Sequence, residues 1–488
     1  MSFPRRRESS ETLDGLARQV VQTPRNGFFG ATVSESLDSR LRGNSGRAVA
    51  REAFHLLTWR GMPTSPELLR LKARYVFPIA GPPIADGVVT IRGERIETVG
   101  PANVAERATR GDEIVDLGNV ALLPGLVNAH THLEASDLTA PLGKAGMAFP
   151  QWIRRVIAHR AGGAFDAQAA IVQGLAECLR CGTTTVGEIA VAPWSKTTAG
   201  VAQIDAVAFL ELMGLSEQAT QAQLEVARAY LQDPSPPAGE CSVRGAQLRR
   251  GLSPHAPYTA GLPLVAGAVE LASRTNAPVA MHLAESPEEL EFLQTGEGPF
   301  RELLEDRGKW LPGAIRPGTR PLEYLRLLAA APRALVIHGN YLDDEEIAFV
   351  AAHAERMSVV YCPRTHAYFG HARHPLSRLL QAGASVCLGT DSRGSNPDLS
   401  LLAELRFVAR QFLELSPARV LEMGTCNGAR ALGFETAGID AVGTIGTGQL
   451  ANLMAVALPD RDESDPHSLV LDSELPAMAT WIRGRRVV

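Results

Sequence analysis

Eight short, apolar, β-branched runs alternate with helical stretches through the middle of this chain, and that alternation constrains its fold more than any other feature. The runs are LLPGLVNAH (122–130), TTTVGEIA (183–190), AVAFLELMG (206–214), RGLSPHAPYT (250–259), VAMHLAES (279–286), ALVIHGN (334–340), SVVYCPRTH (358–366) and SVCLGTDS (385–392). Their length and composition read as buried strands. Segments such as AAIVQGLAECLR (169–180) and LPLVAGAVELASRT (262–275) carry helical periodicity between them. Eight βα units in about 320 residues predict an α/β fold, a (β/α)8 TIM-type barrel over residues 122–440. A doubly wound sheet is the weaker expectation, because no GxGxxG turn follows a first strand.

The chain ends read differently. YVFPIA, GVVTIRGERIETVG, GTIGTGQLANLMAVAL and ATWIRGRRVV are strand and hairpin patterns near the two termini. They predict a small β-sandwich domain built from 67–121 and 441–488. Residues 1–66 are polar and Arg/Ser-rich without an apolar signal core, so they are expected to be a disordered or spurious extension, with Met62 as an alternative start. A net charge of −5 gives no basic footprint for nucleic acid. No apolar run reaches the ~18–20 residues a membrane-spanning helix needs. Six scattered cysteines suggest reduced thiols and a cytoplasmic protein. The Cys178/Cys181 pair has CxxC spacing but no partner pair, and packing is the better reading.

In a barrel of this kind chemistry sits at the C-terminal strand ends. Those ends carry His130 and His132, His255, His282 with Glu285, His338, and Asp391. Alone, His255 or His338 is as readily a hydrogen-bonded structural residue, and an HxH pair by itself proves little. Their joint arrival at the correct ends is the informative observation. Residues i and i+2 of a strand share a face, so two imidazoles can converge on one ion. His130, His132, His282 and Asp391 supply three nitrogens and a carboxylate for one divalent metal, Zn2+ first and Fe2+ as the alternative. Such an ion acidifies its water toward a pKa of about 7. Glu285, three residues beyond His282, suits a general acid/base role. His338 can hydrogen-bond the nucleophile, and Asp391 can accept its proton.

The segments LLPGLVNAHTHLE, SPHAPYT, MHLAES, VIHGN and LGTDSRGSNPDLSLLAELR resemble the amidohydrolase superfamily, and more narrowly its mononuclear-metal deaminase branch. That branch includes S-adenosylhomocysteine/methylthioadenosine, aminodeoxyfutalosine and guanine deaminases, and triazine hydrolases. The resemblance runs from about residue 70 to the C-terminus. It implies the same four metal ligands, proton transfer by Glu285 and His338, and a substrate contact at His255. Two departures stand out. Asn452 replaces a common aspartate in the C-terminal strand. The run CPRTHAYFGHARHPL (362–376) adds Arg364, His366, His371 and His374 to a loop bordering the substrate. Similar runs occur in a subgroup labelled aminodeoxyfutalosine deaminase-like. Arg364 and His366 are therefore expected substrate contacts, while His371 and His374 are expected to be hydrogen-bonded loop residues. Glu134 and Trp152, after strand one, are further candidates for the pocket lining.

No strand-four lysine is placed to bridge two metals. The unrelated zinc nucleobase deaminases need P-C-x-x-C, and Glu177 precedes Cys178 here. The expected activity is metal-dependent hydrolytic deamination of a 6-aminopurine nucleoside, aminodeoxyfutalosine ahead of S-adenosylhomocysteine and methylthioadenosine. Guanine deamination and triazine hydrolysis remain open on the same site. A non-catalytic binding barrel is the rival of another class, disfavoured because the ligand set is complete. The partner expected is a small-molecule substrate, with neither nucleic acid nor membrane; association into a homo-oligomer is left open.

Overall fold

A computed structural model describes residues 68–102, 113–162, 165–192, 194, 203–233 and 246–488. The extension expected over 1–66 lies outside them. In chain order the strands are β1 (Leu69–Val76), β2 (Ile84–Arg92), β3 (Arg95–Pro101), β4 (Glu113–Asp116), β5 (Val120–Pro124) and β6 (Leu126–Thr131). Then come β7 (Thr183–Ala190), β8 (Asp205–Leu212), β9 (Leu248–Pro254), β10 (Val279–Leu283), β11 (Ala334–His338), β12 (Met357–Tyr361) and β13 (Ser385–Leu388). The last are β14 (Leu453–Ala457), β15 (Ala477–Ile482) and β16 (Arg485–Arg486).

β6 to β13 pair in sequence order, all parallel. A parallel bridge from Thr131 to Asp391 closes the last strand end onto the first. This is the expected (β/α)8 barrel. The helices start where the sequence offers an N-cap: Asp166, Ser216, Ser286, Asp343, Ser400 and Ser416 each accept a backbone N–H of the first turn. Strand alternation sorts the apolar residues. Val207, Phe209, Ala280, Leu335 and Ile337 fill the barrel interior. Leu210, Leu212, Val279, Met281, Leu283 and Val336 pack outward against the helices. Among the described residues no helix is long and apolar enough to cross a membrane.

The terminal strands form a second sheet, ordered β16-β15-β14-β5-β1-β2-β3 with β4 on β1. The expected sandwich is one continuous sheet that curls over. Ile96 at the β3 edge donates to the Gln449 carbonyl (2.8 Å) and accepts from Gly448 (2.7 Å), meeting the segment that leads into β14. Leu71, Val89, Ile91, Leu122, Leu453 and Trp481 are enclosed between its faces.

The run LLPGLVNAH is not a single strand. It leaves the terminal sheet at Pro124 and enters the barrel at Leu126. Gly125 makes the transfer: its N–H donates to Asn452 of the terminal sheet, and the next N–H donates to Gly182 at the barrel (both 2.9 Å). A Cβ at Gly125 would sit 2.2 Å from the Thr184 side chain, so only glycine fits. Asn452 itself joins the two sheets. Its amide oxygen accepts from Arg483 N (2.9 Å), and its amide nitrogen reaches Asp205 (3.4 Å).

Candidate active site

Four imidazoles and two carboxylates converge at the C-terminal mouth of the barrel. His282 lies two residues after Ala280 and shares its inward face. The β6/β7 register slips between Asn128 and Thr131, and this bulge re-aims the strand end that carries His130. His132 Nε2 lies 3.3 Å from His282 Nε2. Asp391 Oδ1 is 3.6 Å from His130 Nε2 and 3.7 Å from His132 Nε2. His338 Nε2 stands 3.3 Å from Glu285 Oε1.

Several of these side chains are aimed by unusual backbone. Ala284, His338 and Asp391 all have left-handed φ, at 53°, 68° and 60°. Each costs roughly 1–3 kcal/mol, a strain that clusters at functional sites. By alternation His338 would face the helices after Ile337; its φ turns it to the cluster instead. Dedicated hydrogen bonds hold the strained turns. Glu289 accepts from the N–H of Ala284 (2.8 Å) and of Glu285 (3.0 Å), while Asn340 donates to the Glu285 carbonyl (2.9 Å). Glu285 is thus clamped at both ends of its peptide unit. The HxH segment is held by Glu188, which accepts from Thr131 Oγ1 (2.6 Å) and Leu133 N (3.0 Å). Asn128 ties β6 to the β13 end, accepting from Thr390 N at 3.0 Å.

Burial sets the protonation states. It pushes His132, His282 and His338 well below the usual histidine range. Charge on neighbouring imidazoles lowers all three further. Burial and mutual repulsion thus favour the neutral form of these rings, which presents a lone pair. The His282 tautomer is fixed because Nδ1 donates to the His255 carbonyl (3.0 Å), which leaves Nε2 as a donor atom toward the cluster. Burial works against ionised Asp391, but the surrounding His130, His338 and His282 hold it at about 2. Glu285 goes the other way: burial, then the charge of Asp391, raises its carboxyl well above the ordinary value.

The donor set fits a divalent cation. His130 is 0 % exposed, and both its ring nitrogens lack a hydrogen-bond partner. A buried imidazole with nothing to bind is costly. Zinc–nitrogen bonds of about 2.0–2.1 Å in a tetrahedron place neighbouring donors about 3.3–3.4 Å apart. The spacings of 3.3, 3.6 and 3.7 Å among His132, His282, His130 and Asp391 match that requirement and are poor as direct hydrogen bonds.

Residues 121–488 match the model of the amidohydrolase family. The chain belongs to this family. It is 28 % identical over 407 residues to a 5-methylthioadenosine/S-adenosylhomocysteine deaminase of Moorella thermoacetica, covering 80 % of this chain and 85 % of that one. A structure of Helicobacter pylori aminofutalosine deaminase in complex with methylthio-coformycin superposes with a TM-score of 0.74 at 23 % identity, over 86 % of this chain and 100 % of that one. An atrazine chlorohydrolase from Arthrobacter aurescens, complexed with zinc, shares the fold with a TM-score of 0.68 at 19 % identity, over 86 % and 95 %. This amidohydrolase is accordingly a hydrolase of carbon–nitrogen bonds from a metal-dependent family, with its donor cluster at the barrel mouth.

The amidohydrolase does not gather every expected residue. His255 lies beside the cluster, its ring 5.1 Å from His282, with Nδ1 2.7 Å from Thr259 Oγ1. Glu134 is paired with Arg160. Trp152 is an anchor, donating to the Gly394 carbonyl (2.8 Å) and stacking on Phe149. His366 is buried near His371 and His374, with Nε2 unpartnered. His374 donates through Nε2 to the His338 carbonyl (3.0 Å) and stacks on Tyr361, as expected of a hydrogen-bonded residue. Arg364, expected as a substrate contact, is engaged within the protein. Its guanidinium donates to Glu404 (2.7 Å) and, bidentately, to Asp398 (2.7 and 3.1 Å).

That pairing gives a prediction. Glu404 is 0 % exposed, and Arg364→Ala strips its cation, leaving a buried carboxylate. Stability should fall by on the order of 3–5 kcal/mol in denaturant unfolding. KM should move less than twofold in the folded fraction; a large KM increase with unchanged stability would restore the substrate contact.

Sequence reading missed Glu188, Glu289, Asn340 and Glu211. Glu289 had a visible signal, since Ser286-x-x-Glu289 is a capping-box pattern. Its carboxylate instead reaches back to Ala284 and Glu285. Glu211 also had one: it lies two residues beyond inward-facing Phe209 on β8.

Proposed function

We propose that this chain hydrolytically deaminates an adenine-type nucleoside. The observation that carries the reading is Glu285, buried, raised in pKa and 3.3 Å from His338, directly beside the donor cluster. The deaminase relatives support it. His130, His132, His282 and Asp391 would hold the ion, for which we propose Zn2+ on the strength of three imidazoles and one carboxylate. A divalent cation there supplies Lewis acidity and lowers the pKa of its water toward about 7.

The chain's own residues manage the protons. Water attacks the carbon bearing the amine, and Asp391 takes one of its protons. Glu285 gives its proton to the adjacent ring nitrogen. His338 hydrogen-bonds the oxygen as it adds. As the tetrahedral carbon collapses, the amine takes the proton from Asp391 and leaves as ammonia. The remaining hydroxyl returns a proton to Glu285, leaving a carbonyl beside a ring N–H. His255 and the strand-end loops orient the purine.

The 362–376 run favours aminodeoxyfutalosine by resemblance alone, and the reading rests on the nucleoside. The test is ammonia release by the metal-loaded protein from adenosine, methylthioadenosine, S-adenosylhomocysteine and aminodeoxyfutalosine, with guanine and a chlorotriazine alongside. At least one nucleoside should turn over with kcat/KM on the order of 10^4 M−1 s−1 or above. Chloride release from the triazine, with every nucleoside inert, would sink the proposal.

A further inference from the structure

Glu211 is a carboxylate that the reaction above does not use. It is the penultimate residue of β8, on the inward face at the barrel mouth, and its side chain is 5 % exposed. No described residue donates a hydrogen bond to it. His255 Nε2 lies 3.8 Å from it, beyond hydrogen-bond reach. His255 in turn stands against His282 of the donor cluster. Burial raises the Glu211 carboxyl, and only the charge of Arg160 works against that. Arg160, however, donates directly to Glu134, whose environment also includes Asp137. Glu134 and Glu211 thus draw on one guanidinium, while Asp137 pairs with His159.

A nearly buried carboxylate with no donor among the described residues is open to hydrogen bonds from a ligand. It stands beside His255, whose ring lies against His282 of the donor cluster. We propose that the part of a ligand distal to the reacting carbon lies here, and that Glu211 is a specificity-determining residue accepting hydrogen bonds from its donor groups, the vicinal diol of a ribose. The acidic surroundings at the same time exclude a substituent bearing a carboxylate. This rests on the nucleoside reading and narrows it. Adenosine, 5′-deoxyadenosine and methylthioadenosine carry the diol and no anion. S-Adenosylhomocysteine and aminodeoxyfutalosine carry a carboxylate as well and are disfavoured.

The test uses the metal-loaded full chain and two readouts. Calorimetry measures binding of the products inosine and 2′,3′-dideoxyinosine, and steady-state assays measure ammonia release from adenosine and 2′,3′-dideoxyadenosine. Wild type should prefer the diol about 10- to 100-fold, the worth of a hydrogen bond to a charged acceptor. Glu211→Ala should cut that preference below threefold while leaving affinity for the dideoxy ligand and the melting temperature unchanged. Glu211→Gln, which keeps an acceptor but no charge, should retain part of the preference and improve kcat/KM for S-adenosylhomocysteine about tenfold. Equal losses for both ligands would mark a structural role and overturn the proposal, as would a wild type indifferent to the diol. Diol-dependent binding without ammonia release would leave Glu211 standing and remove the deaminase reading. Ammonia release from both nucleosides at equal kcat/KM would do the reverse, and binding of no nucleoside would remove both.

Discussion

Glu285→Gln should lower kcat at least 10^3-fold while the protein folds normally and keeps its metal. The substitution is isosteric, and the main chain around it is held independently, by Glu289 on the amide side and Asn340 on the carbonyl side. Geometry should therefore survive. What disappears is an acidic proton in a place built to hold one: burial and the Asp391 charge both raise the Glu285 carboxyl, so it is available as an acid near neutral pH. Glutamine can still donate a hydrogen bond but cannot give a proton to the ring nitrogen or recover it from the hydroxyl. General acid–base catalysis contributes about 10^2–10^4-fold. Because this group acts twice per turnover, the upper part of that range is expected. KM should change less than threefold, since the lost interaction belongs to the transition state. A variant within tenfold of wild type would show that Glu285 is a bystander and that His338 or Asp391 carries the proton alone.

The architecture was legible because it depends on residue periodicity. Eight buried runs separated by amphipathic stretches leave few alternatives to a closed parallel sheet. The strand ends were legible for a related reason: imidazoles and carboxylates are out of place at the end of an apolar run. Interception was not legible. Arg364 follows β12 as closely as Asp391 follows β13, yet it begins the helix Pro363–Phe369 and turns to Glu404, forty residues later on the helix Leu401–Gln411. Nothing local marks that pairing. Gly125 posed the same difficulty. LLPGLVNAH is apolar throughout, and only the clash with Thr184, from the next barrel strand, reveals that the chain changes sheets there. Glu211 went unread because it sits inside an apolar run whose inward face becomes apparent only once Phe209 is placed in the barrel interior.

His130→Ala should abolish metal uptake, and the informative measurement is the response to a chelator. In the wild type, His130 is common to two overlapping donor groups, one with His132 and His282 and one with His338 and Asp391, and it is 0 % exposed. With the ion bound, its two unpartnered nitrogens find use; with the ion removed, both are left without a partner at zero exposure. Chelation should therefore lower the wild-type melting temperature markedly. An ion present at 1,000 times its dissociation constant contributes about 4 kcal/mol. His130→Ala should hold less than a tenth of an ion per chain, lose activity at least 10^3-fold, and show no shift on chelation. Its melting temperature should lie near that of the chelated wild type, because the cavity left by the ring is offset by removal of its unsatisfied nitrogens. If His130 served packing alone, the variant would keep one metal per chain and respond to the chelator as wild type does. The donor cluster would then have to be redrawn around His132, His282 and Asp391.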